Sequence, residues 1–176
     1  NYKYKIVLFN TFNIDFIVYL IYNNFIISNR GVNQILGLGN NSQKYLDFTQ
    51  KEIKEYLNDV RDHVENDNYT ISKNNNRKEN INFIEDYKID TEKEKDILLS
   101  LKYNDFCYAV DNEKEDYFHE TLYIFCKERE LDKWGHLETV DIYIKINMTE
   151  TSKGSFMYIV SFHKRNKPIE YLFKND

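Results

Sequence analysis

Between Thr49 and Val64, apolar residues recur at helical spacing: Ile53, Tyr56, Leu57, Val60 and Val64 fall on one stripe. Thr49 stands three residues ahead of Glu52, the reciprocal arrangement of a capping box. This helix is expected to end near Asn66-Asp67-Asn68, and residues 69–72 read as a short strand. Ile81, Phe83, Ile84 and Tyr87 predict a second helix capped by Asn76 and Glu79. Ile97, Leu98 and Leu101 predict a third behind Thr91 and Glu94.

After Tyr117 the period drops to two. Leu122, Ile124 and Cys126 alternate with Tyr123, Phe125 and Lys127. Val140, Ile142, Ile144, Ile146 and Met148 alternate with Asp141, Tyr143, Lys145 and Asn147. Both runs predict strands with one aliphatic face. Residues 149–155, with Gly154, read as a hairpin loop, and 156–163 as a mostly apolar strand covered on both faces. A basic turn, Lys164-Arg165-Asn166-Lys167-Pro168, precedes a last short strand at 169–173. Short helices first, then a small antiparallel sheet, define an α+β domain spanning residues 44–176.

Residues 1–43 stand apart as an extension. Their apolar run, from Phe16 to Tyr22 and broken by Asp15, Asn23 and Asn24, is short against the ~20 residues a membrane span requires. It also lacks the basic start and small-residue cleavage site of a signal peptide. The chain begins at Asn1 and its first Met is Met148. The extension is therefore read either as translation upstream of the domain's start or as a segment that packs on the domain.

Composition narrows the classes. Aromatics at 16% and hydrophobics at 41% can build a core, while charged residues at 30% argue against a membrane protein. A net charge of −5 gives no long-range attraction to nucleic acid, so a nucleic-acid site must be a local cationic patch. Cys107 and Cys126 form no CxxC, and His63, His119, His136 and His163 show no metal-ligand spacing. No metal or cofactor is expected, and two isolated thiols suit a reducing cytoplasm. P-loop, GxGxxG, HExxH and GxSxG motifs are missing from the sequence.

The remaining candidates are polar side chains on strands. Tyr143 and Lys145, two residues apart, share a strand face. Either they line the solvated side of the sheet or they belong to a site. His163 ends an apolar strand beside Lys164, Arg165 and Lys167. It is either a strand-end cap or a titrating group held among phosphate-binding cations. Lys127 shares a face with Tyr123 and Phe125, which is either a base-stacking surface with a phosphate contact or core plus a snorkelling amine.

The segments NYTISKNNNRKENINFIEDYKI, KDILLSLKYNDFCYAV, TLYIFCKE, VDIYIKINM and MYIVSFHK, in that order over roughly residues 66–163, resemble the MqsR-like branch of the RelE-type toxins. The resemblance implies a RelE-like fold and a metal-independent endoribonuclease, an mRNA interferase of a type II toxin–antitoxin system, with RNA as substrate and an antitoxin protein as partner. It places the family's central-strand tyrosine and lysine on Tyr143 and Lys145, and a basic position on His163, where the family's best-known member carries a lysine. Another family lysine falls near Tyr108, so that cation is absent; Lys127 matches a polar position on the preceding strand. The implied roles are acid/base chemistry for His163 and phosphate or base contacts for Lys145, Tyr143 and Lys127. Lys164, Arg165 and Lys167 are further RNA contacts. The alternative is a non-catalytic RelE-like module that binds RNA or protein.

Overall fold

The computed structural model describes residues 44–112, 117, 120–152 and 154–174; the extension at 1–43 lies outside them. The elements are β1 (Lys44–Tyr45), α1 (Gln50–Glu65), β2 (Tyr69–Ile71), α2 (Lys78–Asp86), α3 (Thr91–Leu99), a single 3₁₀ turn (Tyr103–Asp105), β3 (Phe106–Asp111), β4 (Thr121–Lys133), β5 (His136–Thr151) and β6 (Gly154–Lys164). This is a mixed α+β architecture. The six strands form one sheet in the order β1-β3-β4-β5-β6-β2, antiparallel throughout except where β2 runs parallel to β6.

Helix α1 follows its sequence. Thr49 Oγ1 accepts from the Glu52 amide, and the Glu52 carboxylate accepts from the Thr49 amide at 2.7 Å. Ile53, Leu57, Val60 and Val64 are buried. The helix stops at Asn66, and Asp67 turns the chain through a left-handed conformation, φ 54°.

The other caps differ from expectation. Asn76 caps nothing: α2 starts after Arg77, without a side-chain cap. The cap of α3 is Asp90 rather than Thr91, its carboxylate accepting from the Lys93 amide at 2.9 Å. Asp and Thr compete for the same role, and at this junction Asp90 alone has extended backbone.

The apolar stripes of all three helices pack on one sheet face against Phe125, Val140, Ile142, Ile144, Ile146, Ile159 and Phe162. Tyr123 belongs to this face, its ring stacked 3.9 Å from that of Tyr56. The opposite face carries a smaller cluster, Cys107, Val110, Leu122, Ile124 and Cys126, partly covered by Ile169 and Tyr171. The expected strand at 169–173 does not form. That tail makes one ladder-like bond, Leu172 N to Phe106 O at 3.0 Å, and crosses the sheet's end so that Phe173 enters the main core. Four strands lack a sequence expectation or exceed it: β1 and β3 are new, and β4 and β5 run on to a two-residue turn at Trp134-Gly135, both with positive φ.

Strand β2 pairs with β6 only from Met157 to Ile159. Beyond it, Asn80 on α2 replaces a neighbouring strand. Its Oδ1 accepts from the Phe162 amide at 2.9 Å, and its Nδ2 donates to the carbonyls of Ser72 at 2.8 Å and Val160 at 3.3 Å. Asn80 is fully buried, so a carboxamide here satisfies the buried Phe162 amide and two part-buried carbonyls in place of a strand.

Candidate functional site

Alternation along β5 puts Tyr143, Lys145, Asn147 and Thr149 on the face away from the helices, since Ile142, Ile144 and Ile146 occupy the helix side. The β5–β6 register pairs Tyr143 with His163 and Lys145 with Ser161. His163 therefore shares this face, its ring 5.3 Å from that of Tyr143. Lys145 stands diagonal to it, a relation that spans roughly 7–8 Å between α-carbons.

The imidazole is 8% exposed and held at both nitrogens. Nδ1 lies 3.0 Å from the Lys164 carbonyl, which can only accept, so Nδ1 carries the hydrogen. Nε2 then faces the exposed carboxylate of Glu79 at 3.4 Å. Tyr143 shares a hydrogen bond with Tyr108, and burial, reinforced by that neighbour, pushes its phenol above the ordinary range. Tyr143 thus remains a protonated donor at neutral pH.

Lys145 lines a cleft of about 660 Å³ that opens along this face. Arg77, just before α2, lines it as well and acts electrostatically on Tyr143. Sequence reasoning passed over Arg77 because it sits among polar loop residues with no periodicity; only the crossover from β2 brings it to the sheet. Three carboxylates, Asp111, Glu120 and Glu150, line the same cleft, which is therefore two-signed. Tyr143 and His163 do not line it; they flank Lys145 on the same face.

Glu120, 7% exposed, anchors the other part of the cleft. Its Oε2 accepts from Asn147 Nδ2 at 2.6 Å and Asn112 Nδ2 at 3.0 Å, and its Oε1 from Thr149 Oγ1 at 2.6 Å. Asn147, 6% exposed, has an Oδ1 with no partner among the described residues.

Other expected contacts lie elsewhere. Lys127 pairs in register with Ile142 and so belongs to the helix face, where it forms a largely buried ion pair with Asp105 at 3.0 Å. It cannot act with Lys145 through the thickness of the sheet, and the snorkelling-amine reading describes it. Lys164 pairs with Glu138 at 3.0 Å, and Arg165 with Asp141 through Nε and Nη2 at 3.0 and 2.6 Å. Lys167 is exposed. Two of the three cations of the basic turn are thus partnered by carboxylates, which lowers their pull on phosphate.

Burial raises the thiol pKa of both Cys107 and Cys126, which makes them poor nucleophiles. Among the described residues, no group of three or more His, Cys, Asp or Glu side chains is placed to hold a metal, and no helix is long and apolar enough to cross a membrane. Comparison with known proteins finds no family model, no curated protein and no solved structure that matches the chain.

Proposed function

We propose that the helix-free face of the sheet binds single-stranded RNA and cleaves it without a metal, as an mRNA interferase of the RelE type does. The observation that carries this reading is the convergence of an imidazole, a phenol and an amine, His163, Tyr143 and Lys145, on one face, with the guanidinium of Arg77 added from α2's approach.

RNA carries its own nucleophile. The 2′-oxygen attacks phosphorus, the bond to the 5′-oxygen breaks, and the products are a 2′,3′-cyclic phosphate and a 5′-hydroxyl. The protein must move two protons and stabilise charge on the phosphoryl oxygens. The Nδ1 bond to the Lys164 carbonyl leaves His163 Nε2 as the nitrogen that accepts or donates a proton. The exposed Glu79 carboxylate, 3.4 Å from Nε2, lies over this nitrogen and must yield its place for a substrate to reach it. Lys145 and Arg77 hold the phosphate, and Tyr143 donates a hydrogen bond without ionising. An antitoxin protein that covers this face would silence it.

The test is purified protein incubated with RNA in EDTA, alongside His163→Ala and Lys145→Ala. Each variant should lose about 10²–10⁴-fold in rate, with cyclic-phosphate ends on the wild-type products. Wild-type-like cleavage by both variants rejects the assignment. A second reading, an RNA-binding module that does not cut, is favoured by one observation: His163 is nearly buried and does not line the cleft. RNA that binds and stays whole selects it.

A further inference from the structure

We infer that the part of the cleft around Glu120 and Asn147 is a nucleobase subsite that selects a base bearing an exocyclic amino group. This rests on RNA binding at the cleft, whether or not cleavage follows.

An Asn carboxamide has two faces, and here Nδ2 is committed to Glu120 at 2.6 Å, so Oδ1 is presented as an acceptor only. It has no partner among the described residues, although Asn147 is only 6% exposed. Buried polar atoms in folded proteins are almost always paired, and an exception calls for an explanation. A carboxylate offers about four lone-pair sites. Glu120 uses three, two on Oε2 and one on Oε1, so Oε1 keeps one. Both residues line the cleft, and their remaining capacity is for accepting, so this part of it suits a ligand that brings N–H donors.

Position supplies the rest. Lys145 and Asn147 are consecutive on the same strand face, about 7 Å apart. A phosphate held by Lys145 and Arg77 leaves its own base within reach of Asn147. Tyr158 is the direct cross-strand partner of Asn147 and is 39% exposed, which puts an accessible aromatic ring beside the acceptors for a base to stack on. Cationic groups near the strand's middle and acceptors toward the β5–β6 hairpin match a ligand with one anionic end and one donor end, as a nucleotide with an amino group is. Cytosine offers its N4 amine. Uracil offers O4 at the same place, and that oxygen would face Asn147 Oδ1 and Glu120 with no hydrogen between them. Single-stranded RNA is read in this way, at splayed base edges.

The experiment compares oligo(rC) and oligo(rU) of equal length, titrated into the full chain under conditions without cleavage. These oligomers share backbone and ring size and stack weakly. Wild-type protein should bind oligo(rC) at least about tenfold more tightly, the cost of one mismatched buried acceptor. Glu120→Gln places a donor where an acceptor stood, so the ratio should fall toward one or invert. Equal affinity of wild-type protein for both oligomers overturns the subsite while leaving RNA binding intact. An unchanged ratio in a folded Glu120→Gln variant overturns it too. No binding of either oligomer overturns the RNA reading and the subsite together. Cytidine monophosphate binding as tightly as oligo(rC) would move the site from RNA to free nucleotides and refute the proposal as stated. Should Glu120→Gln fail to fold, the wild-type comparison alone decides.

Discussion

Replacing Asn80 removes a side chain that acts as a piece of strand. Asn80→Ala strands one buried backbone amide, Phe162, bonded at 2.9 Å, and two part-buried carbonyls, Ser72 and Val160, bonded at 2.8 and 3.3 Å. An unsatisfied buried group costs about 1–3 kcal/mol. The amide counts in full, and the two part-buried carbonyls, which line the cleft, count for less, giving about 3 kcal/mol. Domains of this kind are stable by only about 5–15 kcal/mol. For a chain of this length the loss corresponds to a melting-point drop of roughly 10 °C. Thermal and urea unfolding, followed by circular dichroism, measure both.

Asn80→Asp sharpens the test. The new carboxylate keeps an acceptor for Phe162 but faces two carbonyl oxygens, so its folded-state pKa rises above the unfolded value of about 3.9. A raised folded pKa means the relative stability is full below the unfolded value and is lost as pH rises through the folded one. The variant should therefore be closest to wild type in acid and fall away toward neutrality. A loss under about 1 kcal/mol for Asn80→Ala, or an Asn80→Asp variant that gains on wild type with rising pH, would refute the edge-strand argument. Phe162 immediately precedes His163, so the same substitution should also broaden the His163 ring resonances.

Lys127→Met should destabilise the fold by about 3 kcal/mol, because Asp105 is left as a nearly buried, unpaired carboxylate. RNA affinity of the folded variant should match wild type; a large loss would place Lys127 in the site after all. Hydrogen bonds from the Thr49 backbone and hydroxyl hold the Glu52 carboxyl below its ordinary value. Its contribution is thus present above the unfolded carboxylate range and lost as pH falls through the folded pKa; Glu52→Gln should flatten that part of the stability–pH curve. Trp134 adopts φ 57° at an exposed hairpin tip, where a bulky side chain is strained. Trp134→Asn builds the Asn-Gly turn suited to this geometry and should stabilise by about 1 kcal/mol in urea unfolding; a destabilised variant would mean the contact of Trp134 with Lys88 outweighs the strain.

The candidate site was half legible. Tyr143 and Lys145 share a face because strand alternation is local, and their placement needed only the aliphatic row between them. His163 reached the same face through register, which depends on a hairpin length and on a bulge near Lys145 and Ile146. Arg77, Glu120 and Asn147 were not singled out. A loop arginine, a lone glutamate and a strand asparagine are each unremarked in sequence, and they become a site only where the sheet sets them around one cleft.

Sequence by itself determined what depends on near neighbours: the capped helix from Gln50 to Glu65, the period-two runs that become β4 and β5, and the turn of Ile142, Ile144 and Ile146 to the core. On β4 the tertiary structure decided that Tyr123 and Phe125, not the aliphatic row of Leu122, Ile124 and Cys126, meet the helices. Helical and strand repeats, and caps three residues apart, are short-range consequences of backbone geometry. Only the tertiary structure decided that β2 joins the sheet parallel to β6, that Asn80 completes the edge, that Lys127 is walled off behind the sheet with Asp105, and that the 169–173 tail crosses the sheet instead of extending it. Each of these joins residues far apart in the chain. Their meeting is set by burial of the common core and by the pairing of buried polar groups, and neither leaves a periodic trace in the order of amino acids.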